Sequence, residues 1–301
     1  MEEMKKTWEE NEAPVIRWIF TIVLSLAIGV VLGAVFSFAV NRLPFLQDGQ
    51  FLAPERALLS GIASFATVYL LFWFFLKVLC KTSMRAFFFG RDRKADLRSM
   101  FWTGVLYLIG LTLGQLLSSE NTFYDNQPVS IMIINTIFCL CFLWLQTSTE
   151  EIFFRGIFLR IPFKDKVPSV LKGLIAAVIS SLLFMGAHLA NPEVTTRSGL
   201  TVVLMASTYF LTGFMMFLSN LLLGGMEPGL IIHFCNNFFC FVFVRAEVTA
   251  LLTPAMFVDR TKSGVGVREL IMLLIAYTPP TIWLVIRYRK QRAESNRGSN
   301  R

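Results

Sequence analysis

Two adjacent glutamates, an arginine one helical turn further on and the only two histidines of the chain are the residues best suited to chemistry. They are Glu150, Glu151 and Arg155 in TSTEEIFFRGIFLR, His188 in LLFMGAHLA, and His233 in GLIIHFCNNFF, where Asn236 and Asn237 follow it. All stand in apolar surroundings, and an ionisable group in such a setting is a functional hypothesis by default because its burial is costly. A carboxylate, two imidazoles and an amide on three separate helices are the parts of a hydrolytic site. They could work in two ways. Glu150, His188 and His233 could bind zinc and leave one position open for a water whose pKa drops towards about 7. Alternatively, without metal, a glutamate acts as general base on a water while imidazole and Asn N–H groups stabilise the oxyanion. H-E-x-x-H, G-x-S-x-G and paired intramembrane aspartates are all missing from the sequence. A gluzincin helix, a serine nucleophile elbow and an aspartyl dyad are therefore excluded.

Helical spacing sorts these residues into faces. Glu151 and Arg155 are four apart and can pair on one stripe, as can Gln146 and Glu150. Glu150 points about 100° away from Glu151, so one glutamate can meet the arginine while the other faces a cavity. Phe184 shares a face with His188, and His233 with Asn237. Each residue also has a purely structural reading: a packed histidine, a buried ion pair, or an interhelical amide contact contributing about 0.6–2 kcal/mol. Their combination on three helices is what favours chemistry.

The elements that must position them are membrane helices. Of the 301 residues 55% are hydrophobic and 16% charged, and mean hydropathy is +0.61, against about 25% charged in a soluble domain. The apolar residues lie in blocks of the ~20 residues that a bilayer requires. About eight spans are expected, near 18–41, 58–80, 100–119, 129–149, 170–190, 200–223, 229–246 and 269–287. The expected class is an all-α polytopic membrane protein: an N-terminal segment 1–17, a membrane domain 18–287 and a basic tail 288–301. The first span reads as a retained helix, since no small-residue cleavage site follows it.

Lysine and arginine collect in alternate loops, which sets the orientation. The 81–99 loop carries Lys81, Arg85, Arg91, Arg93, Lys94 and Arg98, the 161–172 connection Lys164, Lys166 and Lys172, and the tail Arg287, Arg289, Lys290, Arg292, Arg297 and Arg301. ENTFYDNQP has no positive charge and NPEVTTRSG only Arg197. Both termini are then expected in the cytoplasm. The net charge of +8 is an anchoring signal that calls for no nucleic-acid partner. The five cysteines lie in or beside apolar spans without zinc-ribbon spacing and read as packing residues.

These boundaries raise a question of depth. Glu150 and His233 fall near the inner ends of their spans, whereas His188 lies sixteen residues past Lys172, about 24 Å along a helix. For the three to share one water, the fifth span must begin well below the membrane, the fourth must extend further, or the fifth must tilt.

The three blocks, in this order, resemble the CPBP intramembrane proteases, the CAAX protease and bacteriocin-processing (Abi) family. The family pattern is E-E-x-x-x-R, then F-x-x-x-H, then H-x-x-x-N. Here it reads Glu150-Glu151-Ile-Phe-Phe-Arg155, Phe184-Met-Gly-Ala-His188 and His233-Phe-Cys-Asn-Asn237, and the resemblance covers about 140–240. It implies Glu150 as the residue that activates water, Glu151 as its motif partner and Arg155 as the support of that turn. His188 would share the water or bind metal, and His233 with Asn237 would donate to the oxyanion or act as ligand and orienter. It also implies either a zinc or a metal-free glutamate mechanism, helices around a cavity open to the cytoplasm and to lipid, and a membrane-associated substrate, prenylated (CAAX-type) or leader-bearing. The alternative is a non-catalytic membrane protein of the bacteriocin-immunity or scaffold type. A proton-coupled transporter is disfavoured, because no inverted repeat or paired Gly/Pro-broken spans are found.

Overall fold

A computed structural model describes residues 15–40, 42, 53–89, 94–118, 120–159, 170–250, 253–261 and 265–299. Arg91, Arg93, Lys164, Lys166, Arg301 and most of the N-terminal segment, on which part of the orientation rests, lie outside the described residues. The helices are α1 (Val15–Val40), α2 (Ala53–Leu79), α3 (Met84–Phe89), α4 (Leu97–Ser118), α5 (Val129–Glu151), α6 (Val170–His188), α7 (Pro192–Thr195), α8 (Leu200–Leu223), α9 (Glu227–Phe238) and α10 (Val267–Ser299). In lipid the backbone must satisfy its own polar groups, and an apolar run of this length can do so as a helix. Seven of these helices, α1, α2, α4, α5, α6, α8 and α10, are long and apolar enough to cross a membrane.

The expected span 229–246 is built differently. It is α9, 12 residues long, continued by a π-helical turn over Phe239–Phe243 and then by a strand. Three strands of three residues, β1 (Thr122–Tyr124), β2 (Val244–Ala246) and β3 (Phe257–Asp259), form a small sheet in the order β1-β3-β2. β1 runs antiparallel to β3 and β2 parallel to it. No alternation long enough to announce these strands exists in the sequence. The basic tail continues α10 as helix to Ser299, as a run of good helix formers such as Arg, Lys, Gln and Ala allows.

Close packing between long helices relies on glycine, as is common where no hydrophobic effect operates between them. A Cβ at Gly33 would meet Ser64 at 3.1 Å across the α1–α2 pair, and one at Gly110 would lie 2.7 Å from the Cα and 2.8 Å from the carbonyl oxygen of Ala276 across α4–α10.

The bundle has two distinct ends. At one, Asp96 at the start of α4 accepts from Arg287 near the end of α10 (Nε, 3.1 Å), Met226 N–H donates to the Phe88 carbonyl, and Gly156 lies against Phe87. At the other, Gln115 near the end of α4 and Arg268 near the start of α10 both donate to Asp259, at 2.8 and 2.7 Å. Burial pushes the Asp259 and Asp96 carboxyls up, but their hydrogen bonds and the facing arginines more than offset this and hold both below the ordinary range. The first end carries the basic 81–99 loop and the tail. The second carries the sheet and the connections 119–128, 191–199 and 244–266.

Gly110→Ala drives a methyl into backbone, and overpacking of this kind costs about 1–3 kcal/mol. The expected result is a lower thermal midpoint in detergent. Gly186→Ala on α6, where a Cβ meets nothing within 4 Å, should leave the midpoint unchanged or raise it slightly.

Candidate active site

α5 runs to Glu151 and passes into a π-helical turn over Ile152–Gly156, a feature that often marks functional positions. Glu151 and Arg155, one on each side of that change, are both fully buried. Arg155 Nη1 donates to Glu151 Oε1 at 2.8 Å. The remaining Nε and Nη2 have no hydrogen-bond acceptor. The guanidinium lies instead over the Phe184 ring, with Cζ 4.2 Å from its centroid. Such an arrangement contributes about 2 kcal/mol when desolvated. Gly213 on α8 leaves the space for this, since a Cβ there would stand 3.3 Å from Arg155 Nη2.

The same Glu151 oxygen meets His233 Nδ1 at 2.9 Å. A carboxylate paired with arginine only accepts, so Nδ1 of His233 carries a proton and donates to it, and Nε2 points away from Glu151. His188 is fixed likewise: its Nδ1 faces the Phe184 carbonyl at 2.7 Å, which can only accept. Both Nε2 atoms are directed at Glu150, whose Oε2 lies 3.5 Å from that of His233 and 4.0 Å from that of His188. Glu150 Oε2 is buried with no hydrogen-bond partner among the described residues.

The other oxygen of Glu150 is tied down by a chain of polar groups from three helices. Gln146 Nε2 donates to Glu150 Oε1 at 3.0 Å, Asn237 Nδ2 to Gln146 at 3.3 Å, Asn236 Nδ2 to Asn237 at 3.2 Å and Tyr107 on α4 to Asn236 at 3.0 Å. One oxygen is therefore held and the other is left free.

The expected pairs Glu151–Arg155 and Gln146–Glu150 are thus formed, and Phe184, His188 and His233 come together as one cluster. Asn237 touches Gln146 and no hydrogen bond joins it to His233. The depth question resolves through α6. Ser180 donates to the Phe154 carbonyl at 2.5 Å, so residues 170–179 extend about 15 Å past the level of the π turn. His188 then rises to the height of Glu150.

His188, His233, Gln146 and Asn237 line a cavity of about 650 Å³, and Glu150 lies behind the two imidazoles, outside the lining itself. The cavity wall includes three residues that the sequence reading passed over. Tyr209 stacks on His188, with ring centroids 4.6 Å apart. Its hydroxyl donates to Glu193, and Asn191 donates to both, at 3.1 Å each. Glu193 and Asn191 belong to a connection that drew notice only for lacking positive charge, and Tyr209 lies in an apolar span whose periodicity marks no special position.

Two imidazoles and a carboxylate are in kind the donor set of zinc, with Glu150 3.5 Å from His233 and 4.0 Å from His188. Ligands at about 2.0–2.2 Å from one zinc stand about 3.3 Å apart, against 4.0 Å for Glu150 and His188. Among the described residues no group of three His, Cys, Asp or Glu is placed to hold a metal.

Residues 132–239 match the family model of Rce1-like proteins, described as type II CAAX prenyl endopeptidase Rce1-like. No curated protein and no solved structure matches the chain. The matched segment takes in most of α5 and all of α6 to α9, and with them every residue of the three motifs. This multi-pass membrane protein is thus similar over 132–239 to the Rce1-like family model, which is consistent with a CPBP-type intramembrane protease.

Proposed function

We propose that the protein hydrolyses a peptide bond of a membrane-associated peptide, with Glu150 activating the water. The observation that carries this reading is that His188 Nε2 and His233 Nε2 lie 4.0 and 3.5 Å from Glu150 Oε2, with both imidazoles on the cavity wall. A water donating at about 2.8 Å to two acceptors, with its protons roughly 105° apart, holds them about 4–4.5 Å apart. The Glu150–His188 separation suits such a water better than it suits a shared zinc.

In this mechanism the water donates to Glu150 Oε2 and His188 Nε2. Glu150 takes its proton as the oxygen attacks the substrate carbonyl, and the proton then goes to the leaving amine. Asn237 uses one amide N–H on Gln146, and its second is available to the oxyanion, a contact that matters most in the transition state. Glu151 keeps His233 in the tautomer that turns Nε2 to the site. Arg155 and Phe184 act through Glu151 and His188 as positioning residues.

Glu150→Gln should lower cleavage by about 10²–10⁴-fold without changing the thermal midpoint. The assay compares peptide termini, by mass spectrometry of membranes, between cells holding wild type or variant at equal levels. New ends seen equally with both proteins would refute the role of Glu150 and favour a non-catalytic, scaffold-type protein.

Arg155→Met removes one partner of a buried pair and leaves Glu151 uncompensated, at a cost of about 3–5 kcal/mol. The expected outcome is a strongly lowered midpoint or loss of the folded protein. Arg155→Met with Glu151→Gln should recover much of that stability while activity stays low, because His233 loses its carboxylate.

Cleavage by the purified protein should persist after prolonged treatment with a zinc chelator. Loss of activity that added zinc restores would replace the water-only reading with a metal one.

A further inference from the structure

Cytoplasmic termini and a cavity open to the cytoplasm exclude one another in this fold. The cavity is lined by the far halves of the helices: Gln115 at the end of α4, His188 at the end of α6, Met205 in the first half of α8 and Arg268 at the start of α10. Its rim includes Thr196, Glu247 and Arg260, all exposed. That is the end of the bundle bearing the sheet and the connections 119–128, 191–199 and 244–266. At the opposite end Gly156 packs on Phe87 and Asp96 binds Arg287, and there lie the 81–99 loop and the basic tail.

Basic residues separate the two ends. Among the described residues the cavity end has Arg42 and Arg56 around the first connection, none in 120–128, Arg197 in 191–199, Arg245 and Arg260 after α9, and Arg268 at the start of α10. Among the described residues the other end has Arg17 at the start of α1, Lys81, Arg85, Lys94 and Arg98 around α3 and the start of α4, Lys172 at the start of α6, and Arg287, Arg289, Lys290 and Arg292 towards the end of α10. Short loops rich in Lys and Arg stay in the cytoplasm.

We infer that the cavity and its Glu150 cluster open to the extracytoplasmic side of the membrane, so that the peptide reaching them is one presented outside the cytoplasm. The substrate part of this rests on the peptidase reading; the orientation does not. A membrane-anchored or exported chain with its scissile segment beyond the membrane has direct access. A prenylated C-terminus, whose lipid sits in the cytoplasmic leaflet, would have to cross the bundle and is excluded as substrate.

The test is accessibility of single added cysteines in the full-length protein, whose native cysteines lie in or beside apolar helices. Thr196→Cys places a thiol on the cavity rim and Arg289→Cys one near the basic end, both at exposed positions. A membrane-impermeant maleimide applied to intact cells should label Thr196→Cys, and should label Arg289→Cys only after permeabilisation, with wild type unlabelled. Labelling of Arg289→Cys in intact cells, with or without Thr196→Cys, overturns the inference. If either variant fails to accumulate, an epitope fused after Arg301 takes its place. External protease should remove that epitope only from permeabilised cells, and removal from intact cells overturns the inference. Neither readout depends on cleavage, so the orientation can stand if the peptidase reading falls. Conversely, Glu150-dependent peptide ends located in cytoplasmic segments would overturn the orientation while upholding the peptidase.

Discussion

One carboxylate oxygen, Oε1 of Glu151, accepts from Arg155 and His233 at once, and the arrangement around it depends on that junction. A fully buried guanidinium is unfavourable in a low-dielectric interior unless a carboxylate meets it. With Glu151 answering its charge, the arginine is free to lie flat on Phe184. That ring in turn packs edge-on to His233, with centroids 5.7 Å apart, and against His188 at 4.3 Å. α5, α6 and α9 are thus joined through one ion pair and one aromatic ring, and both imidazoles inherit their orientation from it.

Two neighbouring glutamates serve opposite ends because helix geometry turns them apart. Glu151 is spent on structure, buried and doubly bonded. Glu150, about 100° around the helix, is held at one oxygen by a relay of amides that begins at Tyr107, while its other oxygen faces the two Nε2 atoms.

Much of this was legible in the sequence because it is local. Pairs four residues apart on a helix face each other whatever the tertiary fold, so Glu151–Arg155 and Gln146–Glu150 followed from spacing alone. The approach of His188 to Glu150 did not, since it depends on how far α6 extends beyond the π turn, which hydropathy cannot reveal. The relay through Tyr107 and Asn236 was hidden too: a tyrosine in an apolar helix carries no periodic signal, and its partner lies 129 residues away. The sheet escaped notice because strands of three residues are set by pairing between distant loops, not by alternation.

The side on which the cavity opens follows from packing at the two ends of the α4–α10 pair. These helices run antiparallel with glycine contacts along their length, and each end is clasped by an aspartate: Asp96 with Arg287, and Asp259 with Arg268 and Gln115. Sliding one helix past the other by a turn would break both clasps and press Gly110 and Gly114 against bulkier neighbours. The pair is therefore fixed in depth as well as direction. α9 begins at the basic end, where Asn220 accepts from Gly229 N–H at 2.7 Å, and because it is short its polar residues lie in the middle of the bundle instead of at a surface. A short helix anchored at one end leaves the other half of its path to loops and strands. Loops and strands can line a cavity where helices packed on lipid cannot, so the cavity lies at the end away from the anchor.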